Sequence, residues 1–369
     1  MIKYSLVIPT LNGYHNLKKI VPYLTAFDRH DVEYIISCNI PDDGSYEYLN
    51  KISDSRIRVI SPKESLPHSS HLNFALEHAK GEWVGYMGDD DLFPKDRFNI
   101  LDKIINANDN LDLILGQSVR YVWPENINEP GNTVSVNGEL NSYDKKVKIL
   151  DGVELYKIYI NTLELPGGGQ FLVNRRVLRK IHNEFGFYCP DYASVEFFYF
   201  RAVLFFSKKI LDINYPLHIN GRSIKSAGNV LRDRKSVQFD WKFENNNGVW
   251  DYSKIKTQAY HSVSLNSAIF IDNYFKTKFL SRRYWGVVSL KKALAGRLSY
   301  TVDVPDTRMG NIVNAVLTYP ESIFYLFFDI IIKFNTKKRR PSVEYIDASK
   351  YGIKDIVDLS NKIDDLLQK

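Results

Sequence analysis

The first 105 residues alternate short apolar runs with stretches of helical period, a pattern that predicts a sheet with helices packed against it. Residues 4–8, 32–37, 57–60 and 83–87 are apolar or alternating and are bounded by turn residues or charges, so they predict four strands. Between them Leu17, Ile20, Val21 and Leu24 recur at helical spacing, as do Leu72, Ala75, Leu76 and Ala79 ahead of Gly81, a helix stop. After the fourth run Pro94 suits a first helical turn, and Phe98, Leu101 and Ile105 supply an apolar stripe. Strands separated by helices call for crossover connections, so the expected class is α/β, a Rossmann-like, mostly parallel sheet flanked by helices.

Farther along, residues 111–116 predict a fifth strand, and the polar stretch 124–143 predicts a mobile loop. Asp151 is placed to cap a helix ending near Ile160, and Pro166-Gly167-Gly168-Gly169-Gln170 predicts a flexible turn into a strand at 171–173. Beyond residue 228 the texture changes to longer helical stretches with many basic residues. The expected organisation is one α/β domain over 1–228, divisible near 116, and a mainly helical region over 229–369. Within that region, residues 323–334 are strongly apolar but shorter than the ~20 residues of a membrane span. Lys337-Lys338-Arg339-Arg340 follows, which suits either attachment to an anionic membrane surface or a buried helix with a solvated charge run. The stripe Ile356, Leu359, Ile363, Leu366 is expected to pack on the domain or to pair two chains as a homodimer.

Composition narrows the class. Hydrophobic residues make up 44% of the chain and no stretch is dominated by Gly, Ser or Pro, so the chain is expected to fold throughout. The two cysteines lack any metal-ligand spacing and fit a reducing compartment. The apolar opening over residues 1–9 is too brief for a signal peptide, so the expected location is the cytoplasm, peripheral on the inner face of the cell membrane if the basic stretch binds lipid. A net charge of +6 favours anionic partners. Nucleic acid is set aside, because zinc-finger spacing, an RNA-binding aromatic signature and a long basic helix are all missing.

In open α/β sheets ligands sit beyond the carboxyl ends of the strands. Three such ends stand out: Pro9-Thr10-Leu11-Asn12-Gly13, Cys38-Asn39-Ile40-Pro41-Asp42-Asp43-Gly44, and Gly88-Asp89-Asp90-Asp91. Three adjacent carboxylates repel one another, and a divalent cation, Mg²⁺ or Mn²⁺, offsets that repulsion while bridging to phosphate oxygens. The competing reading is a solvated acidic turn at a helix start. A calcium loop of the EF-hand kind is excluded, since neither its central Gly nor its terminal Glu occurs at the required spacing.

Taken together these segments resemble glycosyltransferase family 2, the inverting enzymes of the GT-A, nucleotide-diphospho-sugar transferase fold, over roughly residues 3–105 and more loosely 165–226. The residues that carry the resemblance are Ser5-Leu6-Val7-Ile8-Pro9-Thr10-Leu11-Asn12, then Asn73-Phe74-Ala75-Leu76 leading through Gly81 to Trp83-Val84, then Gly88-Asp89-Asp90-Asp91 in place of the Asp-X-Asp motif. The resemblance implies a nucleotide-binding half over 1–116 and an acceptor half over 117–228. It implies donor contacts from Pro9, Thr10, Asn12, Asn39, Asp43, Asn73 and Asp89, and a metal held by Asp90 with Asp89 and Asp91. Cys38 stands where the family carries an acidic residue for the base. The basic residue ahead of Asn73 is absent, and His68 or His71 is the candidate to replace it, the competing role for either being structural or at the surface.

The implied reaction moves a sugar from a nucleotide-sugar donor, UDP-linked by preference, to a glycan or polyprenyl-linked glycan. Inversion at the anomeric carbon needs a carboxylate base, and Asp191 is the first candidate, with Glu196 in reserve beside Arg201. An N-cap of the apolar run 197–206 is the alternative role for Asp191. His218, in Pro216-Leu217-His218-Ile219-Asn220-Gly221-Arg222-Ser223, is a candidate metal or phosphate contact or a core histidine, and Arg222 and Lys225 are candidate diphosphate contacts. Two rivals remain: a sugar-phosphate nucleotidyltransferase, which is disfavoured because the first loop lacks a glycine-rich basic motif, and a non-catalytic nucleotide- or glycan-binding protein on the same scaffold.

Overall fold

A computed structural model of the protein describes residues 1–41, 43–136, 143–162, 165–190, 195–224, 226, 260–281 and 345–367, with positions 284, 285, 287, 288, 290, 291, 323 and 326. The first four strands, β1 (Tyr4–Thr10), β2 (Val32–Cys38), β3 (Ile57–Ile60) and β4 (Trp83–Tyr86), run parallel in the order β3-β2-β1-β4. Helices α1 (Tyr14–Thr25), α2 (Ser45–Leu49) and α3 (His68–Glu77) lie in the connections, and α4 (Arg97–Ala107) follows β4. β1, β2 and β4 are buried on both faces, which is why they read as nearly continuous apolar runs, whereas β3 at the edge is half-buried. Leu6 and Ile8 face a core shared with α1 and α4, while Val7 between them faces a second core shared with α3.

Six further strands follow among the described residues: β5 (Leu113–Val122), β6 (Thr133–Val136), β7 (Val147–Asp151), β8 (Phe171–Asn174), β9 (Lys209–Arg222) and β10 (Ile346–Asp347). They extend the same sheet into one of ten strands, in which β8 lies antiparallel between β4 and β5, and β9 runs parallel to β5. Parallel order therefore rules the half that carries the first loops, and mixed order the other. Helices α5 (Gly152–Tyr159), α6 (Arg175–Phe185), α7 (Val195–Phe206) and α8 (Tyr260–Phe275) cover the second face. Asp151 caps α5 as expected, its carboxylate accepting from the amides of Val153 and Glu154.

Three expectations change. Stretch 124–143 contains β6, which pairs antiparallel with β5 and buries Val134 completely, so its described part is not a loop alone. The neighbouring Asn-Glu-Pro-Gly-Asn turn hides so short a strand. Pro94 lies in a turn before α4, its carbonyl accepting from the amide of Arg97. The glycine run is a packed 3-10 turn, Gly168–Gln170, with Gly168 and Gly169 buried, because Tyr86 and His218 press against it.

Finally, β10 adds to β6 at the sheet's edge, and α9 (Ile356–Leu367) buries Ile356, Leu359, Ile363 and Leu366 in the core shared with α1 and α4. The stripe thus packs on the domain rather than pairing two chains. Ser360 of α9 donates to the carbonyl of Phe93 at 2.7 Å, tying the helix to the segment just after the three aspartates. Among the described residues no helix is long and apolar enough to cross a membrane. Most of 323–334, all of 337–340 and the change of texture at residue 229 lie outside them.

Candidate active site

The carboxyl edge of the parallel half brings together the ends of β1, β2 and β4. Register sets Thr10 beside Cys38, and Met87, just past β4, donates its amide to the carbonyl of Val7. The turn Gly88–Asp91 then meets the far end of β9: Leu92 and Ile219 exchange backbone hydrogen bonds of 3.0 and 2.8 Å, and the Trp123 indole donates to the carbonyl of Asp90 at 3.0 Å. The acidic turn is consequently held between the first loop on one side and the 218–226 segment on the other.

The three carboxylates divide by environment. Asp89 turns to the first loop, where the Thr10 hydroxyl donates to it at 2.5 Å. A Cβ on Gly13 would lie 2.0 Å from the same oxygen, so only glycine lets the loop approach this closely. Asp90 turns to the other wall and accepts from the Ser223 amide at 3.2 Å, the Ser223 hydroxyl at 2.8 Å and the Ser226 hydroxyl. Asp91 points inward, accepting from the amides of Gly88 at 2.9 Å and Gly221 at 2.8 Å, with the His218 Nε2 at 3.1 Å.

Burial pushes the Asp89 and Asp90 carboxyls well above the usual carboxylate range, and the neighbouring aspartates push them further. At Asp91 burial acts the same way, but His218 and the two amides outweigh it and hold the carboxyl below that range. Asp91 is thus a satisfied structural anion, whereas Asp89 and Asp90 carry charge that their surroundings leave under-compensated. His218 belongs with Asp91: it is 2% exposed and sits against the Gly168–Gln170 turn.

Several residues expected at the donor have other work. Cys38 is fully buried in the core, burial pushes its thiol up to about 12, and it presents no polar group to the cleft. The Asn39 carboxamide donates to the carbonyl of Leu66 and accepts from its amide, at 2.8 and 2.9 Å, shaping the loop after β3. Asp43 joins two helix starts, accepting from the Tyr14 amide at 2.9 Å and the Ser45 amide at 3.1 Å. Asn73 binds the backbone of Tyr188 and Cys189. His71 is buried against the Ser37 hydroxyl at 2.8 Å, and burial holds its imidazole down near 4. His68 is exposed at the start of α3.

Pro9 is partly exposed beside Thr10, and Asn12 holds a left-handed backbone with φ of 56° in the first loop. Arg201 is buried and donates to the carbonyls of Tyr159, Phe197 and Thr162, so it organises helix ends. Arg222 pairs with Glu129 at 3.4 Å. Asp191, Lys225 and the side chain of Glu196 lie outside the described residues. Sequence reasoning missed Ser223 and Ser226, whose hydroxyls carry no pattern of their own; what marks them is their place just past the end of β9 at Arg222.

Among the described residues no three His, Cys, Asp or Glu side chains are arranged to hold a metal by themselves. Asp89 and Asp90 nonetheless fit the hard-cation pattern in which one or two carboxylates act and substrate phosphates complete the shell. A cation beside either carboxylate would offset its burial and the repulsion from its neighbours, the two causes that raise it.

A parallel half-sheet with its acidic turn closed by a returning strand defines the protein as a GT-A, nucleotide-diphospho-sugar transferase type of fold. A *Staphylococcus aureus* TarS structure, residues 1–349 in complex with UDP-GlcNAc, superposes with a TM-score of 0.56 and 13% identity, covering 87% of this chain and 82% of that one. The sequence profile of glycosyl transferase family 2 matches residues 5–196, and the chain belongs to that family of glycosyltransferases. Uncharacterized glycosyltransferases of *Rickettsia felis* and *Rickettsia conorii* are each 25% identical over 134 residues, 33% of this chain. The match spans 22% of those relatives' own length.

Proposed function

We propose that the chain transfers a sugar from a nucleoside diphosphate sugar, UDP-linked, to a hydroxyl of a glycan or polyprenyl-linked glycan, with inversion. The observation that carries this reading is the placement of Asp89 and Asp90 just past β4, with Asp89 held by Thr10 of the first loop and Asp90 by Ser223, at the strand ends where the family places its donor. That a TarS chain of similar fold is in complex with UDP-GlcNAc supports the uridine donor.

In this reading Asp89 and Asp90 would hold Mg²⁺ or Mn²⁺, which when bound would supply charge neutralisation for the departing diphosphate. Thr10 orients Asp89, Ser223 and Ser226 orient Asp90, and Asp91 with His218 fixes the turn that carries both. The first loop, with Pro9, Thr10 and Asn12, lines the nucleoside. Asp191, or Glu196 in its place, accepts the proton of the acceptor hydroxyl as its oxygen bonds to the anomeric carbon. The bond to the diphosphate oxygen breaks with its electron pair on that oxygen. A positioned base contributes ~10²- to 10⁴-fold, so Asp191→Asn is expected to leave nucleotide binding intact and to lower transfer by about that factor. The acceptor is met at the cytoplasmic face of a membrane, a reading that the net charge of +6 favours.

The test is a panel of nucleotide sugars, UDP-GlcNAc first, incubated with Mn²⁺ or Mg²⁺ and assayed for free nucleoside diphosphate. Release from at least one donor is expected. Nucleotide binding without release from any donor would make the chain a binding protein, and pyrophosphate formed from a sugar phosphate and a nucleoside triphosphate would make it a nucleotidyltransferase.

A further inference from the structure

Asn73 sits on α3, whose helix packs against β1 and β2, yet its side chain reaches across to a segment 115 residues later in the chain. Its carboxamide oxygen accepts from the Tyr188 amide at 3.0 Å and the Cys189 amide at 2.9 Å, and its nitrogen donates to the Cys189 carbonyl at 2.6 Å. An asparagine is suited to this, since one planar group supplies both an acceptor and a donor. The clamped residues follow Gly186, which closes α6 in a left-handed conformation with φ of 77°, and precede Pro190. Pro190 has no N–H, so hydrogen bonding by its backbone nitrogen cannot fix the chain beyond Cys189. Phe187, just ahead of them, packs on Phe198 of α7 with ring centroids 5.8 Å apart.

We propose that Asn73 is a positioning residue for the catalytic base: it fixes the backbone two residues ahead of Asp191, and it does not bind the donor. This rests on the reading of Asp191 as the base. The three bonds tie the stem that leads in sequence to Asp191 to a helix of the nucleotide half itself. Misplacing a reacting group by about 1 Å costs up to ~10²-fold in rate.

The experiment compares Asn73→Ala and Asn73→Ser with the wild-type chain, using the donor of the panel that is hydrolysed fastest and UDP titrated with Mn²⁺. Both variants are expected to lose about 10- to 100-fold in kcat, with KM for the donor and the affinity for UDP within about twofold. Hydrogen exchange supplies a readout independent of turnover: the amides of Tyr188 and Cys189 are expected to lose protection in Asn73→Ala, while those inside β1 and β2 keep theirs. A weaker UDP affinity at unchanged kcat would overturn the proposal in favour of donor binding, and unchanged protection at 188 and 189 would overturn it directly. Asp191→Asn, measured in parallel, separates the two readings. If Asp191→Asn turns over normally, the base assignment fails whatever Asn73 does; if it is inactive while Asn73→Ala keeps its kcat, only the positioning role fails.

Discussion

Replacing Asp90 by asparagine removes one charge from a buried cluster of three and keeps nearly the same shape. In the absence of cation the change is close to neutral for stability. An asparagine oxygen still accepts from the Ser223 amide and from the Ser223 and Ser226 hydroxyls. The weaker neutral bonds are offset by relief of the repulsion from Asp91 and Asp89, so unfolding in EDTA is expected to shift by no more than about 1 kcal/mol. Cation-dependent binding moves much further. Asp90 is 8% exposed, and two unit charges about 4 Å apart at an effective dielectric of ~20 interact by ~4 kcal/mol. Allowing for the share that Asp89 retains, about 2–4 kcal/mol is lost, roughly 30- to 1000-fold in affinity. The assay is calorimetric titration of UDP with and without Mn²⁺, alongside denaturation in EDTA. Affinity for Mn²⁺ with UDP equal to that of the wild type would refute the assignment of Asp90. A large loss of stability without metal would instead make the carboxylate a structural group like Asp91.

Gly169→Ala would place a Cβ 2.1 Å from the His218 ring, so it is expected to cost about 1–3 kcal/mol in chemical denaturation by driving His218 off Asp91. Arg97 is 1% exposed, with Nε and Nη1 lacking hydrogen-bond partners within the described structure and burial pulling its guanidinium down to about 10. Arg97→Met is therefore expected to keep or raise the denaturation midpoint, and a loss above ~3 kcal/mol would reveal a strong ion pair. At Glu33 burial opposes ionisation, but hydrogen bonds from Ser5, the Lys80 amide and Arg58 outweigh it and hold the carboxyl below its ordinary 4.5. Its contribution is present above the unfolded value and is lost as pH falls through the folded one. Glu33→Gln is expected to flatten the fall of stability below about pH 4.5; an unchanged slope would contradict this.

The parallel half was legible because β1, β2 and β4 are buried on both faces and its helices carry clear stripes. The expected strands at 4–8, 32–37, 57–60 and 83–87 match β1 to β4 within a residue or two. The other half was less legible. β6 has four residues beside a Pro-Gly turn, and β7 exposes most of its side chains, so neither carries a period that local pattern can detect. Motif position singled out Asp89, Asp90 and Asp91 as a group but did not separate them. That depends on partners 127 to 136 residues away, His218, Gly221, Ser223 and Ser226, which only the return of β9 brings close. Cys38, Asn39 and Asn73 went to the donor by position, while the structure gives their side chains to the core, to Leu66 and to residues 188–189. A side chain's address along a strand end does not say which way it turns.

The docking of α9 has a consequence for biosynthesis. The apolar faces of α1 and α4 emerge from the ribosome long before residues 356–367 are made, so Leu17, Ile20, Leu101 and their neighbours lack one wall of their core during most of translation. Nascent chains halted between β9 and α9 should therefore recruit chaperones or aggregate, and supplying the missing helix as a separate peptide should rescue them.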